Sequence, residues 1–453
     1  MSAITSVLLL LLLISGLAVA MEPGVRLAVT NKGLVYAEQV AGAELRSRLQ
    51  TLSFPDQSGS EGSKSWSITN IRKDGISGPD AHISLNPVAG GITLGISNFG
   101  ISFYADWNIK YRIIFRFSSS GSLDFSISGA SVTLVAGLGE KNGRPTVFAK
   151  SCSCNAGDIG IKFHGGIVAW ILNIFRATIR GKIRDKLQNE VCQIVTEQVN
   201  TRADQELSRM KVNLEIAKQF ILDYSLTSAP IVTGNYVEVA TKGTVYWKDN
   251  RQESPFMPDL LPPLSEFSKM LYVDVTEYSV DTLAYVAHTN GFLKYAITVD
   301  NLKDHYPNSK LELRISSSRA PSVRFESTKL TIAAAARVEV AAHTPDGVVT
   351  PLLLKVSVSV TVEPSVVNGN LTGSITAYNF HNAVIHSDIG EIDEEELDKL
   401  IRRAIDEVVI PGLNEYCKQG IPLPVTGIFR LYNAKVNLQK GYMQIATDVE
   451  YLK

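Results

Sequence analysis

Between residues 353 and 362 the chain alternates strictly. Leu354, Val356, Val358, Val360 and Val362 fall on one side, and Lys355, Ser357, Ser359 and Thr361 fall on the other. Period two with one polar face predicts a half-buried antiparallel strand. Residues 101–117 and 430–452 read as strand pairs by the same rule. Three segments break the pattern with helical spacing. Over residues 170–199, Ile171, Phe175, Ile179, Ile183, Leu187, Val191 and Ile194 recur every three or four positions. That is the apolar stripe of a long helix, with Arg176, Arg180, Lys182, Arg184 and Lys186 expected on its other faces. A shorter helix is predicted after Asn31, with Leu34, Val40, Leu45 and Leu49 as its stripe. A third covers residues 392–410, where Asp393 and Glu396 have the spacing of a capping box with Asp in the Ser/Thr place. Its acidic first turn suits the helix dipole, and Pro411 is expected to kink or end it.

The order of these elements repeats. "VRLAVTNKGLVYAEQV" near the start and "MLYVDVTEYSVDTLAYV" from Met270 each read as a strand leading into a helix. Each half later carries Asp-Ile-Gly before its other helix, at Asp158 and at Asp388. A duplicated domain is the simplest reading. Between the halves, residues 251–267 carry Pro255, Pro258, Pro262 and Pro263, which exclude a central strand or helix there. The expected division is residues 21–250, a stiff linker at 251–267, and residues 268–453. The chain length of 453 residues agrees with more than one core.

Composition then narrows the setting. Residues 1–20 combine a short apolar run with a terminal Ala-Val-Ala, the pattern of a removable secretory signal peptide. A secreted, extracellular protein is expected. Charge is nearly balanced overall but uneven: residues 21–250 carry a net +5 and residues 251–453 a net −6. That excess is too small for a nucleic-acid footprint and suits one end meeting anionic lipid. No H-E-x-x-H, G-x-S-x-G, P-loop or G-x-G-x-x-G motif occurs, so neither a catalytic centre, a metal site nor a cofactor is expected. The four cysteines are Cys152, Cys154, Cys192 and Cys417. The C-x-C pair lacks the partners of a zinc site and the spacing of a redox motif. In an oxidising compartment it reads as part of a structural bridge, with either cysteine available.

Taken together, "PGVRLAVTNKGLVYA", "GRPTVFAKSCSC", the helix from Trp170 to Cys192, "PPL" in the linker, "HSDIGEID" and "GIPLPVTGIFRLYNAKV" resemble the family of lipopolysaccharide-binding protein and bactericidal/permeability-increasing protein. The resemblance covers essentially the whole chain beyond residue 20. It implies an α+β fold, elongated and two-domain. Each domain would be a strongly twisted antiparallel sheet wrapped around a long helix, with a central sheet joining the two. It also implies an apolar pocket for lipid acyl chains in each domain.

From the resemblance follow the candidate residues. The basic hairpin with Trp107, Lys110, Arg112 and Arg116, together with Lys64 and Trp66 from a neighbouring loop, would meet the lipid head group. The acyl pockets would be lined by Leu34, Val40, Ile171, Phe175 and Ile179 in the first half, and by Leu397, Ile401 and Ile405 in the second. The family's bridge from this strand to the long helix maps onto Cys152 and Cys192, with Cys154 as a competitor on the same side and Cys417 unbridged. Asn370 heads the only N-glycosylation sequon. The function implied is secreted recognition of bacterial lipopolysaccharide or related anionic lipids in innate defence. A monomer meeting phospholipid, lipopolysaccharide or a membrane surface is expected, not an enzyme. The alternative is a carrier of neutral or zwitterionic lipids with no immune role.

Overall fold

The structure, a computed structural model, describes residues 22–452 except 51–54, 63, 113–115, 167, 175, 300–309, 346 and 425–428. The proposed signal peptide lies outside the described residues. Every strand pairing described is antiparallel, and the strands form four sheets. In the first half, a seven-stranded sheet runs through Gln57–Glu61, Lys64–Ser77, Gly91–Arg112, Arg116–Lys141 and Arg144–Asn155. Asp80–Asn86 and Asp158–His164 pair off its path. In the second half, Lys294–Val299, Lys310–Ser317, Leu330–Thr344, Gly347–Val367, Asn370–Ser387 and Ile421–Pro422 form its counterpart. Register shifts interrupt the long strands, for instance between Ile96 and Phe99 and between Thr361 and Val362. Bulges of this kind raise the local twist and let such long strands curl.

Six helices matter below: α1 (Asn31–Gln50), α2 (Ala169–Ile174), α3 (Arg176–Gln198), α4 (Glu277–Thr289), α5 (Glu394–Ala404) and α6 (Ile410–Gln419). Asp393 caps α5 as its spacing suggested, accepting from the backbone N–H groups of Glu395 and Glu396 at 2.9 and 3.2 Å. Pro411 does not end the helical path, but the regular α-helix is interrupted just before it. A π-helical turn at Ile405–Val409 absorbs the irregularity, and Pro411 sits in the first turn of α6. Pro411 has no N–H to donate to the preceding turn, and the π-helical turn lies directly before it.

The two strand–helix units meet at the centre. Val25–Thr30 pairs with Tyr236–Thr241 on one side and with Leu271–Thr276 on the other, so both halves contribute to one six-stranded sheet. Arg26 crosses this seam, donating to Asp274 through Nε at 2.8 Å and Nη2 at 2.6 Å. Both side chains are almost fully buried, at 4 % and 1 % exposure. Its Nη1 donates to the Pro262 carbonyl at 2.7 Å, which fixes the linker to the seam. Residues 251–267 contain no strand or helix. Gly33 is required at the start of α1, because a Cβ there would lie 2.8 Å from the Met270 carbonyl oxygen.

Candidate lipid-binding site

The first-half sheet curls around α3, and the helix lays one face along it. Ile183 and Leu187 pack with Trp107, Leu123, Ile159 and Ile161. Further along α3, a disulfide joins Cys192 to Cys152 on the strand Arg144–Asn155, with Cα atoms 5.6 Å apart. That bridge fixes the depth of the helix against the sheet and resolves which cysteine pairs. Cys154 and Cys417 remain free thiols.

Beside the bridge, α1 and α3 do not close over the sheet. They leave a cavity of about 210 Å³. Leu45 and Leu49 line it from α1, and Leu187 and Val191 from α3. Ile96, Phe99, Ile127, Val132, Cys154 and Ala156 line it from the sheet side, with Pro79 and Ala130, and Ser131 is the one hydroxyl-bearing residue in the lining. Among the described residues, none that lines it is charged. Burial raises the Cys154 thiol above its ordinary pKa, so it stays protonated at neutral pH. The cavity is smaller than the roughly 300–1,000 Å³ of ordinary ligand pockets.

Helix α1 buries few of its described side chains. Its only buried positions described are Gly33 and Gly42. It is tethered at its edges, where Glu38 accepts from the Ile83 backbone N–H at 3.1 Å and Arg46 donates to the Pro79 carbonyl at 3.1 Å. Lys32 pairs with Asp448 at 2.8 Å. Burial pushes the Asp448 carboxyl up, but hydrogen bonds from Lys269, Lys32 and the Met270 backbone outweigh it and hold the group below its usual range.

The predicted acyl residues divide. Leu34 and Val40 are half-buried in α1 but do not line the cavity, which lies nearer the far end of that helix. The side chains of Ile171, Phe175 and Ile179 lie outside the described residues. In the second half, Leu397 and Ile401 pack directly with Leu313, Val338, Val340, Leu352 and Leu354, and Ile405 is buried. These second-half positions make helix-on-sheet core. The sheet residues Ile96, Phe99, Ile127 and Val132 lie on no helix stripe, so helical spacing does not indicate them. Leu45, Leu49, Leu187 and Val191 were already visible in those stripes.

The head-group cluster also divides, and Trp107 requires correction. It is 3 % exposed, lies edge-on to Phe163 with ring centroids 6.2 Å apart, and donates through Nε1 to the carbonyls of Ser122 and His164 at 3.0 and 3.2 Å. Alternation is the reason: Trp107 shares a face with Ala105 and Ile109, whereas Lys110 lies on the opposite face. Opposite Trp107 stands Gly121, where a Cβ would be 3.0 Å from the indole nitrogen. That glycine was the available signal that the ring faces inward. Trp66 lies opposite Ile109, on the same inner face, and is 44 % exposed. Lys110 and Arg116 are exposed near the hairpin end. The side chains of Lys64 and Arg112 lie outside the described residues. Asn370 opens its strand, half-buried and paired with Pro422 and Val367.

Comparison with known proteins decides the family. The sequence profile described as LBP / BPI / CETP family, N-terminal domain, matches residues 33–210, and that of the C-terminal domain matches residues 214–305 and 298–451. This chain belongs to the LBP / BPI / CETP family. It is 29 % identical over 464 residues to a bactericidal permeability-increasing protein of Sebastes schlegelii, covering 96 % of this chain and 97 % of that one. A lipopolysaccharide-binding protein of Homo sapiens is 28 % identical over 482 residues, covering 100 % of this chain and 98 % of that one. The crystal structure of a lipopolysaccharide binding protein superposes with a TM-score of 0.64 at 22 % identity, over 95 % of this chain and 100 % of that one. The α+β architecture of curled antiparallel sheets is therefore that of the LBP / BPI / CETP family. Its members are lipid-binding proteins and not enzymes. Among the described residues, no helix is long and apolar enough to cross a membrane.

Proposed function

We propose that this protein binds lipid in its first half, with an acyl chain in the cavity between α1, α3 and the sheet, and that it recognises bacterial lipopolysaccharide or related anionic lipids in innate defence. The observation that carries the reading is a cavity whose described lining carries no charge, flanked by a helix with few buried side chains. Acyl burial contributes about 0.8 kcal/mol per methylene, so affinity needs no special residue in the lining. Relatives named for binding lipopolysaccharide and for increasing bacterial permeability support the ligand class. Exposed Lys110 and Arg116 supply attraction to anionic head groups from the outer face of the hairpin. The protein acts outside the cell as a monomer after loss of residues 1–20, with Asn370 available for a glycan. A second acyl site lies beneath α5, framed by Leu397, Ile401 and Ile405, and opens when α5 leaves the sheet.

The test is uptake of a fluorescent phospholipid by delipidated protein, read alongside native mass spectrometry. Wild type should take up the probe. Val191→Trp, which fills the cavity, should remove the first-half share of the uptake and leave at most that of the site beneath α5, with the circular-dichroism spectrum intact. Uptake unchanged in Val191→Trp places the lipid elsewhere. Displacement of the probe by purified lipopolysaccharide supports the defence reading. A carrier of neutral or zwitterionic lipid without immune role is the second reading, favoured by the uncharged described lining and by the burial of Trp107. Displacement by triacylglycerol alone selects it.

A further inference from the structure

Among the described residues, three buried side-chain polar atoms lack any hydrogen-bond partner: Ser119 Oγ, Arg176 Nε and Arg180 Nε. All three lie in the first half. Ser119 is 8 % exposed, on the strand arm that leads from the hairpin end, and Gly166 sits against its hydroxyl, where a Cβ would come within 2.4 Å. The Gly165–Gly166 turn leads from Asp158–His164 into α2, and α3 follows. Arg176 Nη2 donates to Asn173 Oδ1 at 2.7 Å, and Asn173 in turn donates to the Phe163 carbonyl at 3.3 Å. Arg180 makes no hydrogen bond or ion pair among the described residues.

These arginines are not on the solvent face that helical spacing suggested. Both are half-buried. Residues 176, 180, 183, 187 and 191 recur every three or four positions, so they form one stripe along α3. Ile183 and Leu187 in that stripe pack against the sheet, and Leu187 and Val191 line the cavity. The stripe is therefore cationic at the start of the helix and apolar beyond. Arg180 precedes Leu187 by seven residues, a rise of roughly 10 Å along the helix axis.

A buried guanidinium N–H without an acceptor is costly, and such groups call for a specific explanation. The guanidinium fork pairs bidentately with phosphate, and its Nε–H is part of that fork. We infer that Arg176 and Arg180 bind the phosphate of an acyl lipid whose chain occupies the cavity, with the head group directed toward the hairpin end of the first half. The inference rests on the lipid-binding reading and adds to it a charged subsite and an orientation. It differs from attraction by Lys110 and Arg116, which lie on the outer face. The shared ligand chemistry is a phosphate joined to acyl chains, on glycerol or on an acylated sugar.

The experiment compares retention of phosphatidic acid, diacylglycerol with the same chains, and a phosphorylated acylated disaccharide, by native mass spectrometry of the delipidated full chain. Wild type should retain phosphatidic acid or the disaccharide at least tenfold better than diacylglycerol. The preferred one identifies the glycerol or the sugar source. The double variant Arg176→Met, Arg180→Met should lose that preference and keep diacylglycerol retention within about twofold. Arg180→Lys, which keeps the charge but loses the fork, should fall between. In wild type, the Arg180 Nε–H resonance should move on adding phosphatidic acid and not on adding diacylglycerol, which decides the matter even if the double variant does not fold. A preference unchanged in the variants, or equal shifts with both lipids, overturns the inference and leaves lipid binding standing. Failure of wild type to retain any of the three overturns both.

Discussion

The strand–helix unit occurs twice in this chain, and the two copies are held differently. Helix α4 buries Tyr278, Ser279, Thr282, Val286 and Ala287. Its Glu277 and Asp281 accept from the backbone N–H groups of Phe325 and Val323 at 2.6 and 2.9 Å, and both of those side chains are almost completely buried. Helix α1 uses the same device once, through Glu38 and Ile83, but its buried positions are two glycines. One helix is thus a structural element of the core, and the other is a wall of a cavity. A similar topology permits both outcomes, because large apolar side chains decide whether the interface closes. The same contrast separates α3 from α5: Leu187 faces a cavity, whereas Leu397 is enclosed by the sheet.

The largest effect should come from the seam the two copies share. Arg26→Ala leaves Asp274 buried without its cation and should destabilise by about 3–5 kcal/mol. Denaturant unfolding followed by hydrogen exchange should show both halves weakened together. Weakening confined to one half would mean that the halves are stabilised independently.

Next comes the contrast between closed and open interfaces. Leu397→Ala should cost roughly 2–5 kcal/mol, the range for a buried leucine replaced in a packed core. Leu187→Ala should cost less, by at least ~1 kcal/mol, because its cavity side already lacks contacting atoms. Equal losses in chemical denaturation would remove the distinction between the halves.

A smaller effect concerns the anchor of α1. Asp448 has a folded-state pKa below its unfolded one. Its contribution is therefore complete above about pH 4, the ordinary aspartate value, and is lost as pH falls through the folded value. Asp448→Asn should flatten that part of the acid-stability curve and cost roughly 1–3 kcal/mol near neutral pH. Amide exchange should rise first in α1 and not in α4. An unchanged acid limb would show that the pairs of Asp448 with Lys269 and Lys32 hold nothing.

The smallest effect is one of reactivity alone. Cys154 should react slowly with a maleimide at pH 7 and faster as pH rises, since burial raises its pKa. Filling the cavity with phospholipid should slow it further. Cys417, also raised by burial but located in α6, should not respond to lipid. Equal protection of both thiols would point to a global change and not to occupancy of the cavity.

Much of the architecture is local in origin and was legible. The alternation around Val358 makes its strand whatever lies nearby, and Asp393 caps α5 through bonds to its own next turn. The prolines of residues 251–267 fit a segment that contains no strand or helix. Pairwise spacing on α3 indicated the stripe that contains Leu187 and Val191. Resemblance, more than spacing, pointed to Cys152 as the partner of Cys192.

What the sequence by itself determined, then, is which residues alternate, which recur with helical period and where the chain turns, because these depend on neighbours a few positions apart. Tertiary structure alone decided that α1 and α3 stand apart while α5 closes on its sheet, since this depends on whether side chains from distant strands fill the gap. It also decided which polar groups face inward. Trp107 shares the inner face with Ala105 and Ile109, and the Ser122 and His164 carbonyls accept its indole N–H there. Arg176 and Arg180 lie on the half-buried face of α3 that runs on through Leu187 to the cavity. Charge along a helix is read from the sequence, but the face that meets the sheet is set by the whole packed interface.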